Sequence, residues 1–404
     1  MKKIQFGILA MYFAMLATGT KAQQAPATDS SHYKIKKLTL DEINIVSGYY
    51  HQDGNNSAVT GGIGTEKLTD FANTFDVQVS KVNKNDHKHT FLLELGIDHY
   101  TSASSDKIDP NTISSASSAD TRIYPSLTWT NTDNKTGNSF GASLYYSSEY
   151  DYQSIGAGLS LSRISKDQNR QFDVHLQAFL DHWTVILPYE LRPSKPGSYE
   201  PVKSAGTEPR NSFSASFALS QVINTRLQAM VIVEPSYQHG LLATRYQRNY
   251  FTDGSVLPEN LPGNRYKLPI GLRLNYFLDD HFIIRTFYRF YMDDWGVRAH
   301  TAEIEVPIKF TSFVSLSPFY RYNTQQGTRY FAPYGQHAPG TEFFTSDYDL
   351  ATQHSSFVGT GLRLAPPRGV FHWQRFNQLE LRYGHYMRST GLNSNILTLG
   401  MKFK

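Results

Sequence analysis

The feature that most constrains this chain is a repeated segment in which apolar and polar side chains alternate over about 12 to 15 residues. In FLLELGIDHY, Phe91, Leu93 and Leu95 share one face, while Glu94 and Asp98 share the other. A period of two is that of a β-strand with one face in an apolar medium and the other in water. Glycine and serine are frequent within the segments, which disfavours helices. About sixteen such segments follow one another, near 43–52, 69–82, 88–102, 121–132, 138–149, 151–165, 171–183, 211–223, 226–238, 265–278, 281–293, 296–310, 313–325, 354–365, 375–388 and 392–403.

The connections between these segments alternate in length. Mostly longer links separate the short polar turns, and only the links near Glu149, Asp294 and Ser389 break the rule. The short turns lie at 83–87, 133–137, 166–170, 224–225, 279–280 and 311–312, and the longer links at 53–68, 103–120, 184–210, 239–264 and 326–353. Transmembrane β-barrels have short periplasmic turns and longer outer loops. A soluble sandwich needs no such parity, and its strands are usually about 5–6 residues long.

This parity predicts an all-β fold, namely an antiparallel transmembrane β-barrel of about 16 strands with long extracellular loops and short periplasmic turns. The number falls to about 14 if 43–52 or 354–365 is not a full strand. Both termini are then periplasmic. The last segment, Asn395–Phe403, resembles the C-terminal assembly signal of outer-membrane barrels, although Lys404 follows it. We therefore expect outer-membrane lipid as a partner and, during biogenesis, the barrel-assembly machinery.

The N-terminus has the features of an export signal. Lys2 and Lys3 precede a short apolar run, and Ala22 supplies a small residue at the expected cleavage site. The run is shorter than the ~20 apolar residues that span a bilayer. We predict a signal peptide at 1–22, a periplasmic N-terminal segment at 23–42 and the barrel at 43–404, in the outer membrane of a Gram-negative bacterium. The sequence has no cysteine, which excludes disulfides, thiolate metal sites and a lipoprotein anchor.

The segment FIIRTFYRFYMDDW, residues 282–295, combines large aromatic rings with charges at every fourth position. As a strand it directs Tyr288 and Phe290 to lipid, and Arg285 and Arg289 to a wet lumen. The same pattern places nearly all strand charges on the inner face. The predicted pore-lining residues are Asp76, Glu94, Asp98, Asp173, Asp181, Arg273, Arg285, Arg289, Glu303, Glu305, Arg321 and Arg382.

Acidic and basic members of this set come from different parts of the chain and would line opposed arcs of the wall. Such an arrangement gives a transverse field that orients dipolar solutes and sets ion selectivity. A structural alternative is that Glu303 and Glu305 pair with the arginines of the preceding strand. The two interpretations can coexist, because paired arginines still shape a pore.

Motifs for catalysis, cofactors and metals give no assignment. HExxH and GxSxG do not occur, and the glycine-rich stretch Gly61–Lys67 lacks the spacing of a phosphate loop. Asp347 and Asp349 could ligate calcium, but no EF-hand spacing surrounds them. The net charge of +4 comes from interspersed acidic and basic residues, which disfavours nucleic acid. We predict no catalytic residue, no cofactor and no metal.

Several stretches resemble a known family: GYYHQDGNNSAVTGGIGTEKLTD, GIDHYTSAS, TRIYPSLTW, RFYMDDWGVRAHTAEIEVP and LRYGHYMRSTG. Together they are similar to the Bacteroidota branch of the DUF3570 family, from about Ile43 to Lys404. The resemblance implies an outer-membrane protein without an established activity. It also implies neighbouring genes for small lipoproteins, thioredoxin-like proteins and flavin transferases, and so a redox-linked envelope system with a lipoprotein partner.

Three functions remain open from the sequence. The leading hypothesis is a channel for small polar solutes or ions with a charged lumen. The second is a plugged barrel that serves as scaffold or receptor for an envelope complex, and the third is an enzyme with its site in the outer loops. The aromatic loop 326–353 would either close the barrel mouth as a lid or dock sugars or a partner. Fold class alone decides none of these.

Overall fold

The computed structural model describes residues 37–102, 119–193 and 204–404. The predicted signal peptide and most of the predicted N-terminal segment lie outside the described residues. The strands are β1 (Thr39–Asp53), β2 (Leu68–Val82), β3 (His87–Ser102), β4 (Ala119–Asp133), β5 (Ser139–Ser148), β6 (Tyr152–Ile164), β7 (Arg170–Thr184), β8 (Thr207–Val222), β9 (Leu227–Val233), β10 (Ser236–Gly240), β11 (Arg248–Tyr250), β12 (Val256–Pro258), β13 (Asn264–Phe277), β14 (Ile283–Asp293), β15 (Arg298–Glu305), β16 (Ile308–Lys309), β17 (Val314–Gln326), β18 (Gln353–Leu364), β19 (Phe376–Arg388) and β20 (Asn393–Phe403). Single 3-10 turns occur at Ala58–Thr60, Tyr189–Leu191, Tyr348–Leu350 and Val370–His372.

Eighteen of these strands form one antiparallel sheet, and β11 with β12 forms a separate hairpin in a connection. Both β9 and β10 pair with β8 and with β13, so they are two halves of one wall strand. Similarly, β15 and β16 both pair with β17. The described residues therefore supply sixteen wall strands. The last strand, β20, pairs with β1, so the sheet closes into a barrel.

The predicted fold is confirmed, and the alternative of fourteen strands is wrong. The two segments in doubt are both full strands, because β1 runs over Thr39–Asp53 and β18 over Gln353–Leu364. The first strand begins four residues earlier than predicted. Prolines explain the two interruptions of the wall: Pro235 divides β9 from β10, and Pro307 follows β15. Proline has no N–H to donate to a neighbouring strand.

The outer face of the barrel carries rows of exposed apolar side chains with a spacing of two. Leu93 on β3, Ile155 on β6 and Leu180 on β7 keep 54%, 65% and 51% of their surface exposed. A continuous apolar surface of this extent marks contact with an apolar phase, and in a barrel that phase is lipid. The outward rows fix the other parity of each strand as the inner face.

The barrel has two unlike ends. The turns 83–86, 134–138 and 165–169 lie at one end, the short-turn end, where Thr39 and Phe403 also lie. At the other, the long-loop end, lie connections of up to 26 residues, such as 327–352. Exposed outward rings border both ends: Phe91, Phe140 and Trp373 near the short turns, and Tyr49, Tyr146, Tyr266, Tyr322 and Tyr383 near the long loops. Such girdles match the two interfaces of a bilayer.

Histidines also belong to the girdle of outward side chains at the long-loop end. They point outward near the ends of their strands and belong to β1, β3, β7, β10, β15, β18 and β19: His51, His99, His182, His239, His300, His354 and His385. Several bond a polar neighbour on the next strand, as His385 does with Asn395 at 2.9 Å. Imidazole combines an apolar ring with a polar edge, so these side chains suit the same interface as tyrosine. In the described part of the chain, no helix is long and apolar enough to cross a membrane.

Candidate functional site

The predicted pore-lining residues lie on the inner face. On each of their strands they have the parity opposite to the exposed apolar row, as Glu94 and Asp98 do beside Phe91 and Leu93 on β3. This holds for all of them: Asp76, Glu94, Asp98, Asp173, Asp181, Arg273, Arg285, Arg289, Glu303, Glu305, Arg321 and Arg382. The placement makes them available to a pore, and their role in one stays a prediction.

The inner wall from β14 to β19 carries a network of ion pairs. Glu305 accepts hydrogen bonds from Arg285 and from Arg382, both at 3.0 Å. Glu303 pairs with Arg321 at 2.5 Å. The alternative of pairing with the preceding strand is thus observed for Glu305, whereas Glu303 pairs with the following one. Arg382 reaches Glu305 across two intervening strands, because it lies flat over Gly361, where a Cβ would meet it at 3.0 Å.

The opposite inner wall, from β2 to β8, holds the acidic residues but also arginines that the sequence analysis did not include. Asp76 stands directly opposite Glu94 in the β2–β3 register. Asp181 is buried and accepts a hydrogen bond from Arg210 at 3.1 Å. Arg210 was missed because β8 begins at Thr207, four residues before the predicted strand. Arg210 has the same parity as the polar residues Ser212 and Ser214 of β8, and continuing this alternation towards the N-terminus would have predicted it as an inward residue.

A groove of about 300 Å³ lies in this wall, and we call it the inner-wall groove. Aromatic rings and short hydroxyls line it together with charged residues of β3, β4, β7 and β8: Tyr124, Tyr145, Tyr152, Phe179, Ser126, Ser147, Ser154, Ser212, Glu94, Arg122, Asp181 and Arg210. Tyr145 and Phe179 have ring centroids 5.4 Å apart. Arg122 donates to the Ser147 hydroxyl at 2.9 Å. A volume of this size is at the lower end for small-molecule sites.

Connections at the long-loop end pack against one another, and we call this assembly the lid: residues 54–67, 185–193, 241–263 and 327–352. Their apolar cluster also includes the rim residue Trp295: Val185, Leu241, Ala243, Leu261 and Trp295. Asn260 and Phe344 exchange backbone hydrogen bonds of 3.3 and 2.7 Å, which join the third connection to the fourth. The predicted outer loop 326–353 therefore packs into a lid.

The lid crosses the barrel mouth. The connection 54–67 joins the first and second wall strands, and 241–263 joins the ninth and tenth, half the circumference away. Arg248 nevertheless donates to the Val59 carbonyl at 3.0 Å. The same guanidinium forms a two-pronged pair with Glu190, at 2.5 and 3.0 Å. Ile186 packs against Val59 and Tyr246. Because these contacts join connections from opposite sides of the barrel, the residues that make them lie over the lumen.

The glycine-rich stretch Gly61–Lys67, which lacks the spacing of a phosphate loop, belongs to this lid. Gly61 and Gly62 have φ of +82° and +87°, which side chains rarely adopt. A Cβ on Gly62 would lie 2.9 Å from the carbonyl oxygen of Ser346 in another connection. The glycines therefore allow two lid segments to approach closely.

A buried carboxyl lies at the centre of the lid. Glu259 is only 2% exposed. Its Oε2 accepts a hydrogen bond from the Thr244 N–H at 2.5 Å, and the Thr345 hydroxyl also bonds it. Burial, with a further contribution from the negative charge of Asp347, raises the pKa of Glu259 to about 8. The closed lid therefore holds this carboxyl in its protonated form at neutral pH.

The lid also contains a serine–histidine contact, the kind of pair that a loop-sited enzyme would need. His337 Nε2 lies 3.1 Å from the Ser346 hydroxyl. That hydroxyl donates to the Ala332 carbonyl at 2.9 Å, and both side chains are at most 4% exposed. Burial lowers the pKa of His337. A serine nucleophile must donate its hydroxyl proton to the base and must be accessible to a substrate. In the closed lid the Ser346 proton goes to the Ala332 carbonyl and both side chains are buried, so this pair does not have the arrangement of a nucleophile and its base.

The acidic pairs have local partners as well. Asp347 accepts from the Asp349 N–H at 2.9 Å and so begins a 3-10 turn, and Asp349 pairs with Arg388. Among the described residues one group of three acidic side chains brings carboxylate oxygens within 4.8 Å of one another: Asp120, Glu149 and Asp151. Glu149 accepts from the Tyr100 hydroxyl at 2.7 Å, and Asp120 from the Tyr150 N–H at 3.1 Å. Carboxylate oxygens of Glu149 and Asp120 therefore already accept hydrogen bonds from groups of the protein.

The described residues form a closed antiparallel transmembrane β-barrel with an apolar outer face. Similar solved structures include OccD3 (OpdP) from Pseudomonas aeruginosa, with a TM-score of 0.45, 8% identity, and coverage of 91% of this chain and 92% of that one. BamA from Haemophilus ducreyi lacking POTRA domains 1–3 gives 0.43 and 12%, with 91% and 76% covered. A BenF-like porin from Pseudomonas fluorescens Pf-5 gives 0.42 and 7%, with 90% and 98% covered. No curated protein sequence matches the chain. The sequence profile described as protein of unknown function (DUF3570) matches residues 98–389, and the chain belongs to that family.

Proposed function

We propose that the protein is a channel for small polar solutes or ions in the outer membrane of a Gram-negative bacterium, gated by its lid. The long-loop end then faces the outside and both termini face the periplasm. The observation that best supports this proposal is the exposure of charged side chains on the inner face. Arg285, Arg321 and Arg382 keep 52%, 48% and 37% of their side-chain surface exposed although they point inward. An inner face with this much accessible charge suits a water-filled interior and not a packed core.

The closed lid makes gating part of the proposal. The contacts of Arg248 with Val59 and Glu190 hold opposite sides of the mouth together, so a solute passes only when they separate. The contacts that join separate lid connections are non-covalent. They can therefore break while the hydrogen bonds between the wall strands stay in place.

Locking the lid tests this gating. The sequence has no cysteine, so Val59→Cys with Ile186→Cys introduces a unique pair where the two side chains pack together. We expect the oxidised pair to show little conductance in a planar bilayer, and reduction to restore it. Each single cysteine variant, treated with the same oxidant, is the matched control. Equal conductance of the oxidised and reduced pair would exclude the lid as the gate.

Ion selectivity tests the charged lumen. Under a salt gradient, the double change Arg285→Ala and Arg289→Ala should move the reversal potential towards cation preference, since two inward positive charges are lost. Arg298→Ala, which removes a charge that points outward, is the control. An unchanged potential in the inward variant would place these arginines outside the ion path.

A second candidate is a plugged barrel that acts as a scaffold or receptor for an envelope lipoprotein in a redox-linked complex. The interlocked lid favours it, because its buried contacts would give a rigid outer surface. Folded protein, identified by heat-modifiable gel mobility, that never conducts even after Arg248→Ala loosens the lid would favour this candidate over the channel.

A further inference from the structure

We propose that the inner-wall groove is a saccharide site, which binds one sugar ring at a time against its aromatic side chains. As the identity of a transported solute, the inference rests on the proposed channel; as a binding site, it stands on the groove alone. Its basis is a set of rings that lie flat against the wall, next to hydroxyl and guanidinium groups.

Glycines of the wall hold these rings flat. A Cβ on Gly96 would lie 2.0 Å from the Tyr124 ring, and one on Gly156 would lie 2.5 Å from the Phe179 ring. Each ring thus covers a glycine on the neighbouring strand with one face. Phe179 borders the groove beside Tyr145, whereas the Arg122 guanidinium lies over the Tyr124 ring, 4.9 Å from its centroid. An exposed flat ring is the surface on which the apolar C–H face of a pyranose packs.

Polar groups line the groove beside the rings. Arg210 donates through Nε to Asp181 at 3.1 Å, and the rest of its guanidinium fork carries further N–H groups. Arg122 and the Ser147 hydroxyl stand on the other side of the groove, joined at 2.9 Å. Hydroxyls donate and accept at once, so they match a wall of arginine, serine and tyrosine better than a simple ion does.

The charges of the groove favour a neutral ligand. Arg210 is paired with Asp181, and Arg122 lies 3.5 Å from Glu149. Each positive group is thus neutralised within the wall, so an anionic solute gains little there. The remaining carboxyl of the lining, Glu94, can accept a hydrogen bond from a sugar hydroxyl. An apolar solute would leave the polar groups without partners. A neutral polyhydroxylated ring satisfies both the rings and the polar groups.

The opposite wall supplies a matched control. There Phe357 covers Gly384, with ring atoms 2.5 Å from a Cβ position, as Phe179 covers Gly156. Covering a glycine with a ring stabilises a sheet by itself, so both rings share this structural role. Only Phe179 borders the groove. A loss of binding confined to Phe179→Ala therefore separates recognition from stability.

Tryptophan fluorescence gives the readout. Trp183 lies on the inner face of β7, with its ring 4.8 Å from that of Tyr152, which lines the groove. Detergent-solubilised protein is titrated with glucose, with maltose, and with sorbitol, an open-chain polyol without a flat ring. We expect saturable changes with glucose and maltose, no saturation with sorbitol, and no response in Trp183→Phe. The titrations are repeated in Arg248→Ala, whose loosened lid gives freer access.

Phe179→Ala should weaken saccharide binding about tenfold, the effect of one lost stacking contact, while Phe357→Ala binds as the unaltered protein. If Phe179→Ala fails to show heat-modifiable mobility, Tyr145→Ala takes its place, with Tyr145→Phe expected to bind within about twofold. Equal affinities in the Phe179 and Phe357 variants, or no response to either sugar in both lid backgrounds, would overturn the proposal.

Conductance of the same preparations separates this inference from the channel. Protein that conducts but shows no saccharide response refutes the saccharide site and leaves the channel in place. Protein that responds to glucose but never conducts refutes the channel and leaves a saccharide-binding barrel.

Discussion

The buried carboxyl of Glu259 makes the lid sensitive to pH, and Glu259→Gln tests this in the most direct way. In the closed lid the pKa of Glu259 is about 8, against 4.5 for a solvated glutamate, because burial disfavours the charged form. The closed state thus binds the proton more tightly than the open state. Its stability is greatest below about pH 4.5, falls as the pH rises, and levels off above about pH 8.

The size of the effect follows from the same gap. About 3.5 pH units at 1.36 kcal/mol each correspond to about 5 kcal/mol of lid stability lost across the whole window. Asp347 faces Glu259 and also titrates, with its pKa raised to about 6 by burial and by Asp349. Above about pH 6.5 Glu259 therefore dominates the slope. Glutamine keeps an oxygen for the Thr244 N–H and cannot ionise, so it should remove this part of the pH dependence.

Cysteine labelling measures lid opening without relying on conduction. Ile186 is 7% exposed and Tyr189, in the same connection, is 47% exposed. The maleimide labelling rate of Ile186→Cys, divided by that of Tyr189→Cys, reports the open fraction and cancels the ionisation of the thiol. From pH 6.5 to 7.5 this ratio should rise by about eightfold, whereas Glu259→Gln should keep it nearly constant. The same rise in both proteins would refute the role assigned to Glu259.

Other side chains give further predictions. Glu305→Gln removes the negative charge between two inward arginines, so the reversal potential under a salt gradient should shift towards anions; an unchanged value would show that the pair lies outside the ion path. Arg248→Ala should raise the open probability of the lid about 5- to 30-fold, since a half-exposed charged pair of this kind contributes about 1–2 kcal/mol, and it should leave barrel unfolding in urea unchanged. Gly96→Val should lower the free energy of barrel unfolding by about 1–3 kcal/mol because its side chain would displace the Tyr124 ring; a variant as stable as the original would show that the ring moves freely.

The wall was predictable because lipid imposes one rule on every strand. A strand such as β3 must turn Phe91 and Leu93 to the apolar phase, which fixes the parity of Glu94 and Asp98 as well. The rule weakens at strand ends, where lipid no longer selects. That is why the start of β8, and with it Arg210, was missed. The membership in DUF3570 is confirmed, whereas its Bacteroidota branch stays a prediction.

The partners within the wall were less predictable than the parity. Alternation places Glu303 and Glu305 inward but does not say which neighbour each one meets, since the register and the reach of arginine decide that. Arg382 meets Glu305 only because Gly361 leaves room for its side chain to lie flat. The expected separation of acidic and basic arcs is likewise incomplete, because Arg210 is paired within the acidic wall.

The lid has no periodic signal in the sequence, and this follows from how it is stabilised. Its contacts join connections that are far apart along the chain, as Arg248 and Val59 are. Within the described residues, the apolar cluster of Val185, Leu241 and Leu261 gives the lid a packed centre, whereas the wall buries its apolar rows against lipid. While the lid connections are packed together they close the barrel mouth, so a solute can pass only when this packing is broken. The proposed channel must break these buried contacts in order to open, and Glu259, a carboxyl within them, would couple the opening to pH.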